Sequence, residues 1–192
     1  AVVGAGPVGL ALALHAARTL PDARIAVFDA RPAEQDVGGD PRTLALSLGS
    51  VQELERLGVW DAIAPQAAAI RAVHVSQQQP ALLAAMAKLP QPELLLTAGE
   101  CGVTQLGAVA SYGAIVAPLQ AAWLAAVAAE PERLAARFAT PVAALKALDD
   151  GGVEVDAGIA ERHDLAVVAE GGVFAAQPRK PFPQGVSADY GQ

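Results

Sequence analysis

The feature that most constrains the fold is a glycine-rich stretch at the start of the chain. It reads AVVGAGPVGL, so three glycines spaced G-x-G-x-x-G separate a short apolar stub from an Ala- and Leu-rich sequence, 7–20, that favours helix. The apolar, β-branched run 24–30 follows and is typical of a buried parallel strand. The pattern therefore predicts strand, turn, helix and strand, with strands 1–3 and 24–29 parallel and adjacent.

Each glycine of this loop has its own role in a phosphate-binding turn. Gly4 permits the sharp strand-to-helix turn, Gly6 lets the backbone approach a pyrophosphate, and Gly9 lets the helix lie against the strand. The helix, beginning at Pro7, then presents free N–H groups and its positive dipole end to the phosphate. Asp29 lies twenty residues after Gly9, where a carboxylate accepts hydrogen bonds from both ribose hydroxyls and disfavours a 2′-phosphate. This context predicts a site for the ADP part of a dinucleotide other than NADP, and the alternative is a glycine-rich turn without a ligand.

NAD and FAD both contain ADP, and the remainder of the chain indicates which of these two dinucleotides the loop binds. Nicotinamide dehydrogenases of this class continue with regular β–α units, whereas this chain continues with the polar loop 31–42 and a largely helical stretch, 43–63. Antiparallel strands are predicted within 137–158, with a hairpin turn at the sequence DGG. This order suits a flavoprotein whose sheet is interrupted by a substrate domain. The other predicted elements are strands at 69–77, 105–113 and 163–172 and a helix at 114–130.

Composition excludes several classes of protein. A net charge of −7 without any basic run disfavours a nucleic-acid binder. A single cysteine, Cys101, excludes a disulfide framework within the chain and any multi-cysteine metal site. The separated His15, His74 and His163 have no metal-ligand spacing, so no metal is predicted. A hydrophobic content of 53% suffices for a sizeable core, and we expect a soluble, cytoplasmic protein for which contact with a membrane surface stays open.

A series of motifs runs along the chain in the order GAGPVGLALAL, DPRTLALSLGSVQELERLGVWD, IRAVHVSQ, LGAVASYGAIVAPLQAAW, DLAVVAEGG and DYGQ. In this series the chain resembles the FAD-dependent aromatic hydroxylases of ubiquinone biosynthesis. That group lies within the flavin monooxygenases that share the p-hydroxybenzoate hydroxylase fold. The combination of R-x-L-A-L-S with a terminal DYGQ is more specific than the glycine loop.

The resemblance implies a set of cofactor-binding residues. Arg42 matches the family arginine near the flavin and its phosphates, and its alternative is a surface arginine paired with Asp40. Either Tyr112 or its neighbour Ser111 stands where the family places a polar contact to the flavin, and packing of the tyrosine on the sheet is the alternative. The residues implied for the ADP part of FAD are Gly4, Gly6, Pro7, Gly9 and Asp29.

The family's second acid-glycine motif is matched with a departure. The family usually has Asp before Gly, whereas this chain has Glu170 followed by Gly171. The longer side chain puts in doubt a direct copy of the family's contacts to the cofactor phosphates or to the incoming nicotinamide. A strand that ends in a Glu-Gly turn is the alternative.

The resemblance also implies a fold and a domain division. The fold would be α/β, with a Rossmann-like FAD-binding domain of the p-hydroxybenzoate hydroxylase type and part of an antiparallel substrate domain. The FAD-binding domain would be discontinuous, comprising 1–69 and 104–172, and the substrate domain would comprise 70–103 and 173–192. A further Gly-Asp motif of the family lies beyond DYGQ, so the sequence is expected to represent roughly the N-terminal half of a two-domain enzyme.

The implied activity is that of a monooxygenase. NAD(P)H would reduce FAD, and one atom of O₂ would be transferred to an electron-rich ring, a polyprenyl phenol of ubiquinone biosynthesis. The cofactor carries this chemistry, and we identify no catalytic side chain. Contact with a membrane or with a complex of ubiquinone-biosynthesis proteins is implied in the same way. The alternatives are an FAD-linked reductase or dehydrogenase without oxygen chemistry and a non-catalytic flavin-binding accessory protein.

Overall fold

The protein, described by a computed structural model over residues 1–76 and 93–169, is a mixed α/β chain with parallel and antiparallel sheets. It divides into two compact units. The first unit consists of Ala1–Gln35 and Ala126–Gln192, and the second consists of Asp36–Ala125. The predicted division into a FAD-binding and a substrate domain stays a prediction.

The first unit contains a four-stranded sheet in which every neighbouring pair of strands is parallel. In spatial order the strands are β12 (Val167–Val168), β1 (Val2–Val3), β2 (Ile25–Phe28) and β8 (Leu134–Arg137). Helix α1 (Pro7–Thr19) connects β1 to β2. The prediction of strand, turn, helix and strand, with the two strands parallel and adjacent, is confirmed.

Helix α1 forms because one of its faces is continuously apolar. Leu10, Ala13 and Leu14 are buried at the i, i+3, i+4 spacing of a core-facing helix. On the sheet, Val3 and Val27 are 2% and 0% exposed. The core of this unit therefore lies between the helix and the sheet, which is the packing that the apolar pattern predicted.

Arg133 ties the end of α1 to the start of β8. Its guanidinium donates to the carbonyl oxygens of Ala17, Leu20 and Ala23 over 3.0 to 3.3 Å and to the carboxylate of Glu130 at 2.8 Å. The last carbonyls of a helix have no partner within the helix itself. Arg133 therefore satisfies groups that would otherwise be under-bonded at a junction where its own side chain is 15% exposed.

The variant Arg133→Ala should lower the free energy of unfolding by about 1–2 kcal/mol, since several charge-assisted hydrogen bonds to the α1 terminus are lost. Urea denaturation followed by circular dichroism measures the effect. Arg56→Ala is the matched control, because Arg56 is 69% exposed and pairs with Glu53 on a helix surface, where a change within about 0.5 kcal/mol is expected. Equal effects of the two substitutions would contradict the role given to Arg133.

The first unit also contains an antiparallel three-stranded sheet. Its strands are β9 (Ala144–Ala147), β10 (Val153–Asp156) and β11 (Ala160–His163), with β10 in the centre. The turn between β9 and β10 contains Gly151 and Gly152 with φ of 91° and 86°, a conformation that favours glycine. The predicted antiparallel strands and their DGG turn are confirmed.

His163 is the most enclosed histidine of the described chain. Its side chain is 17% exposed and its ring contacts that of Phe28 edge-on at 5.9 Å between centroids. Burial lowers its pKa from the ordinary value of 6.5, and the nearby Glu161 and Asp164 oppose that shift. Among the described residues its Nε2 has no hydrogen-bond partner, with the Glu161 carboxylate 3.9 Å away. The neutral ring is therefore the form that suits the folded state.

Stability should consequently rise with pH below neutrality. Between the lowered pKa of folded His163 and the ordinary value of the unfolded chain, the unfolded state binds more protons. We expect the free energy of unfolding to increase from about pH 5.5 to 6.5, by at most about 1.4 kcal/mol per pH unit, the limit for one proton, and to level off above that range. Urea midpoints measured across this range should be less pH-dependent in His163→Gln. An unchanged slope in that variant would rule out His163 as the source.

The second unit contains a three-stranded antiparallel sheet of β3 (Thr43–Ser47), β7 (Gly107–Ser111) and β4 (Ala68–Ile70), with β7 in the centre. Residues 43–47 were expected to begin a helix, and that expectation is wrong. Their exposure alternates along the strand, so TLALS follows the period of two of a half-buried strand rather than a helical period. Tertiary pairing with β7 decides the outcome.

Helices follow β3 in the second unit. The side chain of Ser47 caps α2 (Leu48–Arg56) by accepting a hydrogen bond from the Ser50 N–H at 3.2 Å. A short α3 (Trp60–Ile63) comes next and continues into one 3₁₀ turn. The helical expectation for this stretch is thus met from Leu48 onwards, with an interruption after α2.

A two-stranded antiparallel sheet pairs β5 (Ala72–Ser76) with β6 (Glu93–Thr97). The predicted strand at 69–77 is therefore two strands, β4 and β5, separated at Arg71. Every side chain of β5 is exposed, and large apolar side chains of both strands are 38% to 56% exposed. Residues 77–92, which join these strands, lie outside the described residues.

The longest helix of the described chain is α4 (Tyr112–Ala129), directly after β7. The predicted strand and helix at 105–130 are confirmed with shifted ends. By length and composition, α4 is also the one helix in residues 1–76 and 93–169 that could cross a membrane, with a mean hydropathy of 1.5. Core helices of soluble proteins pass the same test, and α4 buries Ile115, Leu119 and Trp123 completely or nearly so. The finding is weak evidence for a membrane span.

Candidate functional site

The predicted phosphate-binding loop stands between β1 and α1 in the first unit. Gly4 has a φ of 106°, and its N–H donates to the Phe28 carbonyl at 2.7 Å, which ties the turn to the end of β2. Gly6 is the N-cap residue of α1 in an extended conformation and has no side chain to cap the helix. Pro7 occupies the first turn, where its missing N–H costs nothing. The start of α1 thus presents backbone rather than side chains.

Gly9 permits the closest approach between helix and turn. A Cβ built on Gly9 would lie 1.9 Å from the Gly4 carbonyl oxygen and 3.3 Å from the Cβ of Ala169. No side chain fits at that distance from a backbone atom, so only glycine allows α1 to begin where it does. The structure therefore gives the third glycine of the motif the packing role that the sequence assigned to it.

Asp29 follows β2, and its carboxylate is hydrogen-bonded to backbone on two sides. Oδ2 accepts from the Ala5 N–H at 2.6 Å, and Oδ1 accepts from the Arg31 N–H at 2.7 Å. A carboxylate has about four lone-pair sites, so both oxygens keep capacity for further donors. The structure thus brings Asp29 to the glycine loop, as predicted, and shows in addition that its carboxylate holds the loop in shape.

A segment that the sequence analysis did not single out supports Asp29 from the other side. The Asp29 N–H donates to the Arg137 carbonyl at 3.0 Å, and the Asp29 carbonyl accepts from the Thr140 N–H at 2.9 Å. The Arg31 guanidinium lies 5.6 Å from the centroid of the Phe138 ring. The residues after β8 therefore position the backbone around the acid. No local pattern in RFAT indicates this role, because it depends on the parallel pairing of β2 with β8.

Ala139, in the same segment, has a φ of 53° and is the non-glycine residue with positive φ in the described chain. Its N–H donates to the Arg31 carbonyl at 3.1 Å. Strained backbone of this kind persists where the surroundings over-determine it. Here the surroundings are the residues that carry the predicted ribose ligand.

Arg42 and Tyr112 meet in the second unit. The Arg42 guanidinium lies 4.3 Å from the centroid of the Tyr112 ring, a cation–π contact. It also forms a two-pronged ion pair with Asp40, from Nε at 3.0 Å and from Nη2 at 2.7 Å. The pairing with Asp40 that the sequence offered as the alternative therefore exists, and it leaves the cofactor role of Arg42 as a prediction.

Arg42 and Asp40 each stabilise the charged form of the other. The hydrogen bond from Arg42 lowers the pKa of the Asp40 carboxyl, and Asp40 raises the pKa of Arg42, with Tyr112 contributing in the same direction. The pair is therefore ionised at neutral pH. It is lost only as pH falls through the lowered pKa of Asp40.

Ser111 and Tyr112, the two candidates for a polar contact to the flavin, have different roles in the structure. Ser111 Oγ accepts from the Ala114 N–H at 3.2 Å and so caps the start of α4. Tyr112 contacts Arg42 with its ring, and its N–H donates to the Arg42 carbonyl at 2.5 Å. Tyr112 is thus the residue that shares a cluster with another predicted site residue.

Glu170 and Gly171, the predicted acid-glycine motif, lie outside the described residues. Within residues 1–76 and 93–169, no group of three or more His, Cys, Asp or Glu side chains could hold a metal ion. Cys101 is exposed.

Known structures with a similar fold come from flavoproteins and related enzymes. No protein-family model matches the chain. The p-nitrophenol 4-monooxygenase PnpA from Pseudomonas putida DLL-E4 is 17% identical, with a TM-score of 0.59 over 88% of this chain and 40% of its own. CtdE, solved in complex with FAD, is 13% identical, with a TM-score of 0.58 over 88% of this chain and 37% of its own. The Diels-Alderase PyrE3 of pyrroindomycin biosynthesis is 17% identical, with a TM-score of 0.59 over 88% and 32%.

This chain therefore spans 40% or less of the length of these three proteins. At such identities the similarity concerns the fold alone. The protein has a flavin monooxygenase-like fold.

Proposed function

We propose that this chain supplies the ADP-binding part of the FAD site in a flavin-dependent monooxygenase that acts on an aromatic substrate. The observation that carries the proposal is the construction of the glycine loop. Gly9 lies against the Gly4 carbonyl so closely that a Cβ would be 1.9 Å from its oxygen, and the Asp29 carboxylate is fixed beside that loop at 2.6 Å from the Ala5 nitrogen. Bare backbone at a helix start, next to a fixed carboxylate, suits a diphosphate joined to a ribose.

Each part of the loop fits one part of ADP. The N-terminus of α1, which has no side-chain cap at Gly6, would hold the phosphates through backbone N–H groups. Asp29 would accept the ribose hydroxyls with the lone pairs that Ala5 and Arg31 leave over. Bound FAD supplies the redox chemistry and the activation of O₂. The chain's own contribution is to bind and orient the nucleotide.

The carboxylate also disfavours a nucleotide with a 2′-phosphate in this loop. A phosphate placed at the ribose hydroxyls would face the Asp29 charge, whose two oxygens are already directed by backbone donors. FAD fits without such a conflict. NAD would fit equally well, and we assign the loop to FAD because CtdE, which has a similar fold, was solved in complex with FAD. We assign NAD(P)H the part of electron donor on the strength of the family resemblance alone.

The finer assignment also follows the resemblance. It makes the substrate a polyprenyl phenol of ubiquinone biosynthesis and makes Arg42, Tyr112, Glu170 and Gly171 further cofactor contacts. A cytoplasmic protein in contact with a membrane, or with other proteins of that pathway, would suit such an apolar substrate.

A second candidate function is supported by one of the proteins of similar fold. PyrE3, which has a similar fold, is named a Diels-Alderase, so the fold by itself does not specify oxygen chemistry. A flavin-binding protein that acts as a reductase or dehydrogenase, or that binds flavin without redox chemistry, is therefore the alternative.

The test uses the full-length protein. We expect it to purify with FAD, identified by chromatography of the released flavin, and to consume O₂ when NADH or NADPH and a polyprenyl phenol are supplied. Incorporation of one ¹⁸O atom from ¹⁸O₂ into the phenol supports the monooxygenase. Flavin reduction without oxygen incorporation for any tested phenol supports the reductase, and the absence of bound FAD or of any measurable FAD affinity overturns the proposal.

A further inference from the structure

The segment 138–140, which follows β8, holds the backbone around the Asp29 carboxylate. The Ala139 N–H donates to the Arg31 carbonyl at 3.1 Å, and the next N–H, that of Thr140, donates to the Asp29 carbonyl at 2.9 Å. Both bonds join backbone atoms within the first unit. The backbone on either side of the acid is therefore held by two successive donors, whatever side chains the segment carries.

The backbone conformation of Ala139 is what brings these two donors to the same strand end. Its φ of 53° lies in the left-handed region, which is unfavourable for a residue with a Cβ atom. Successive N–H groups turn towards one side of the chain where the backbone adopts such a conformation. The side chain of Ala139 is exposed, so packing of its methyl group does not account for the conformation. The two hydrogen bonds are the contacts that stabilise it.

Arg31 transmits this constraint to the Asp29 carboxylate. The Arg31 N–H donates to Oδ1 at 2.7 Å, and the carbonyl of the same residue is the group that Ala139 holds. Oδ2 accepts from the Ala5 N–H of the glycine loop at 2.6 Å. The carboxylate is thus oriented by two donors, one of which depends on Ala139, and its remaining lone pairs have a defined direction.

We infer that Ala139 is a positioning residue, whose left-handed backbone conformation orients the Asp29 carboxylate for the ribose of the nucleotide. The inference rests on the proposed function and adds to it a residue that acts through the acid rather than by touching the ligand. Binding is stronger when a contact group is ordered before the ligand arrives. Strained backbone beside a binding group suits such a role. The alternative is a segment that stabilises the fold and leaves nucleotide affinity unaffected.

The experiment varies the backbone preference of residue 139 in the full-length protein, freed of its flavin and titrated with FAD and with FMN by fluorescence. A β-branched residue disfavours positive φ, and apparent affinity falls with the populated fraction of the competent conformation. We therefore expect Ala139→Val to weaken FAD binding about 3- to 10-fold. FMN, which lacks the adenosine ribose, should bind with unchanged affinity. Ala139→Gly, which adopts positive φ readily, should keep its FAD affinity within about twofold.

Ala144→Val is the matched control for the valine variant. Ala144 is also exposed and lies in the same unit, in β9, where a β-branched residue suits the extended backbone. The added methyl groups meet solvent at both positions, so the two substitutions differ in the backbone conformation that they disfavour. Ala144→Val should leave the affinities for FAD and for FMN unchanged.

A second measurement needs no substitution and decides the question if Ala139→Val does not fold. Coupling between two groups is reciprocal, so a nucleotide that engages Asp29 must also stabilise the segment 138–140. We expect the amide hydrogens of Ala139 and Thr140 to exchange about 3- to 10-fold more slowly in the unsubstituted protein with FAD bound than with FMN bound. Hydrogen exchange followed by NMR measures the difference.

The possible results separate the two roles. Weaker FAD binding with normal FMN binding in Ala139→Val supports the inference. Unchanged FAD affinity in that variant overturns it, as do equal losses for FAD and FMN, a loss in Ala139→Gly as large as in Ala139→Val, or equal amide exchange with the two flavins. If the unsubstituted protein has no affinity for FAD, the proposed function falls and the inference falls with it, whereas normal FAD binding that is insensitive to residue 139 removes the inference alone.

Discussion

Gly9→Ala should strongly destabilise the first unit and abolish the FAD binding that we propose for it. The added Cβ would lie 1.9 Å from the Gly4 carbonyl oxygen, and both atoms belong to backbone that cannot rotate away. Either α1 must shift off the sheet or the turn must open, and each change breaks the burial of Leu10 and Leu14. We expect a loss of about 3–5 kcal/mol in the free energy of unfolding, the range for severe disruption of a packed core. Urea denaturation and a fluorescence titration with FAD measure the two effects.

The matched control for this variant is Gly49→Ala. Gly49 also stands in the first turn of a helix, α2, but a Cβ there would meet its nearest neighbour, Ser47 Oγ, at 3.9 Å. Alanine favours helix over glycine by about 1 kcal/mol, so this control should be neutral or stabilising. A stable, FAD-binding Gly9→Ala protein would show that the contact between α1 and the turn is looser than the structure has it, and the phosphate-loop argument would fail.

Asp29→Ala should weaken FAD binding by about 10- to 150-fold, because loss of a charge-assisted hydrogen bond costs about 1.5–3 kcal/mol. The structure adds a second expectation. The same carboxylate accepts from the N–H groups of Ala5 and Arg31, so its removal also leaves two backbone donors without their partner. We therefore expect a smaller accompanying loss of stability, about 1–2 kcal/mol, measured on the protein without flavin.

Comparison of FAD with FMN separates these two effects. FMN lacks the adenosine ribose, so loss of a ribose contact lowers the affinity for FAD and spares the affinity for FMN, whereas a collapsed loop lowers stability. Asp36→Ala is the control, since the Asp36 carboxylate accepts a backbone N–H from Gly38 at 2.8 Å on an exposed loop without any predicted nucleotide contact. Unchanged FAD affinity in Asp29→Ala would mean that this acid serves the loop alone.

The local structure of the first thirty residues could be predicted because all its signals agree. An apolar stub, a G-x-G-x-x-G turn, an amphipathic helix and a β-branched run each favour the element that formed. The helix predicted for TLALS, by contrast, does not form, and these residues are a strand. Its leucines and alanine are good helix formers, and its conformation depends on pairing with residues 107–111, more than sixty positions later in the chain.

The candidate site likewise contains one part that spacing in the sequence predicts and another part that depends on tertiary contacts. The spacing of Gly4, Gly6, Gly9 and Asp29 was sufficient to predict that the acid follows a strand beside the glycine loop, because short-range steric rules govern that turn. Arg42 and Tyr112, seventy residues apart, were singled out by resemblance, and no spacing rule could bring them to 4.3 Å. The ion pair with Asp40, the alternative that the sequence offered for Arg42, is present in the structure, and the cofactor role of Arg42 stays a prediction.

Residue types and their spacing were sufficient to predict the turn formed by the glycine loop, the secondary structure around it and the exclusion of a disulfide framework. Each of these depends on residue type and on neighbours within a few positions, where steric and hydrogen-bonding rules apply without knowledge of the fold. Only tertiary contacts could show that residues 137–140 brace Asp29, that both oxygens of its carboxylate accept backbone N–H groups, and that Arg42 contacts both Asp40 and Tyr112. Those arrangements depend on contacts between segments far apart in the chain, and only the packing of the sheets and helices brings such segments within hydrogen-bond distance.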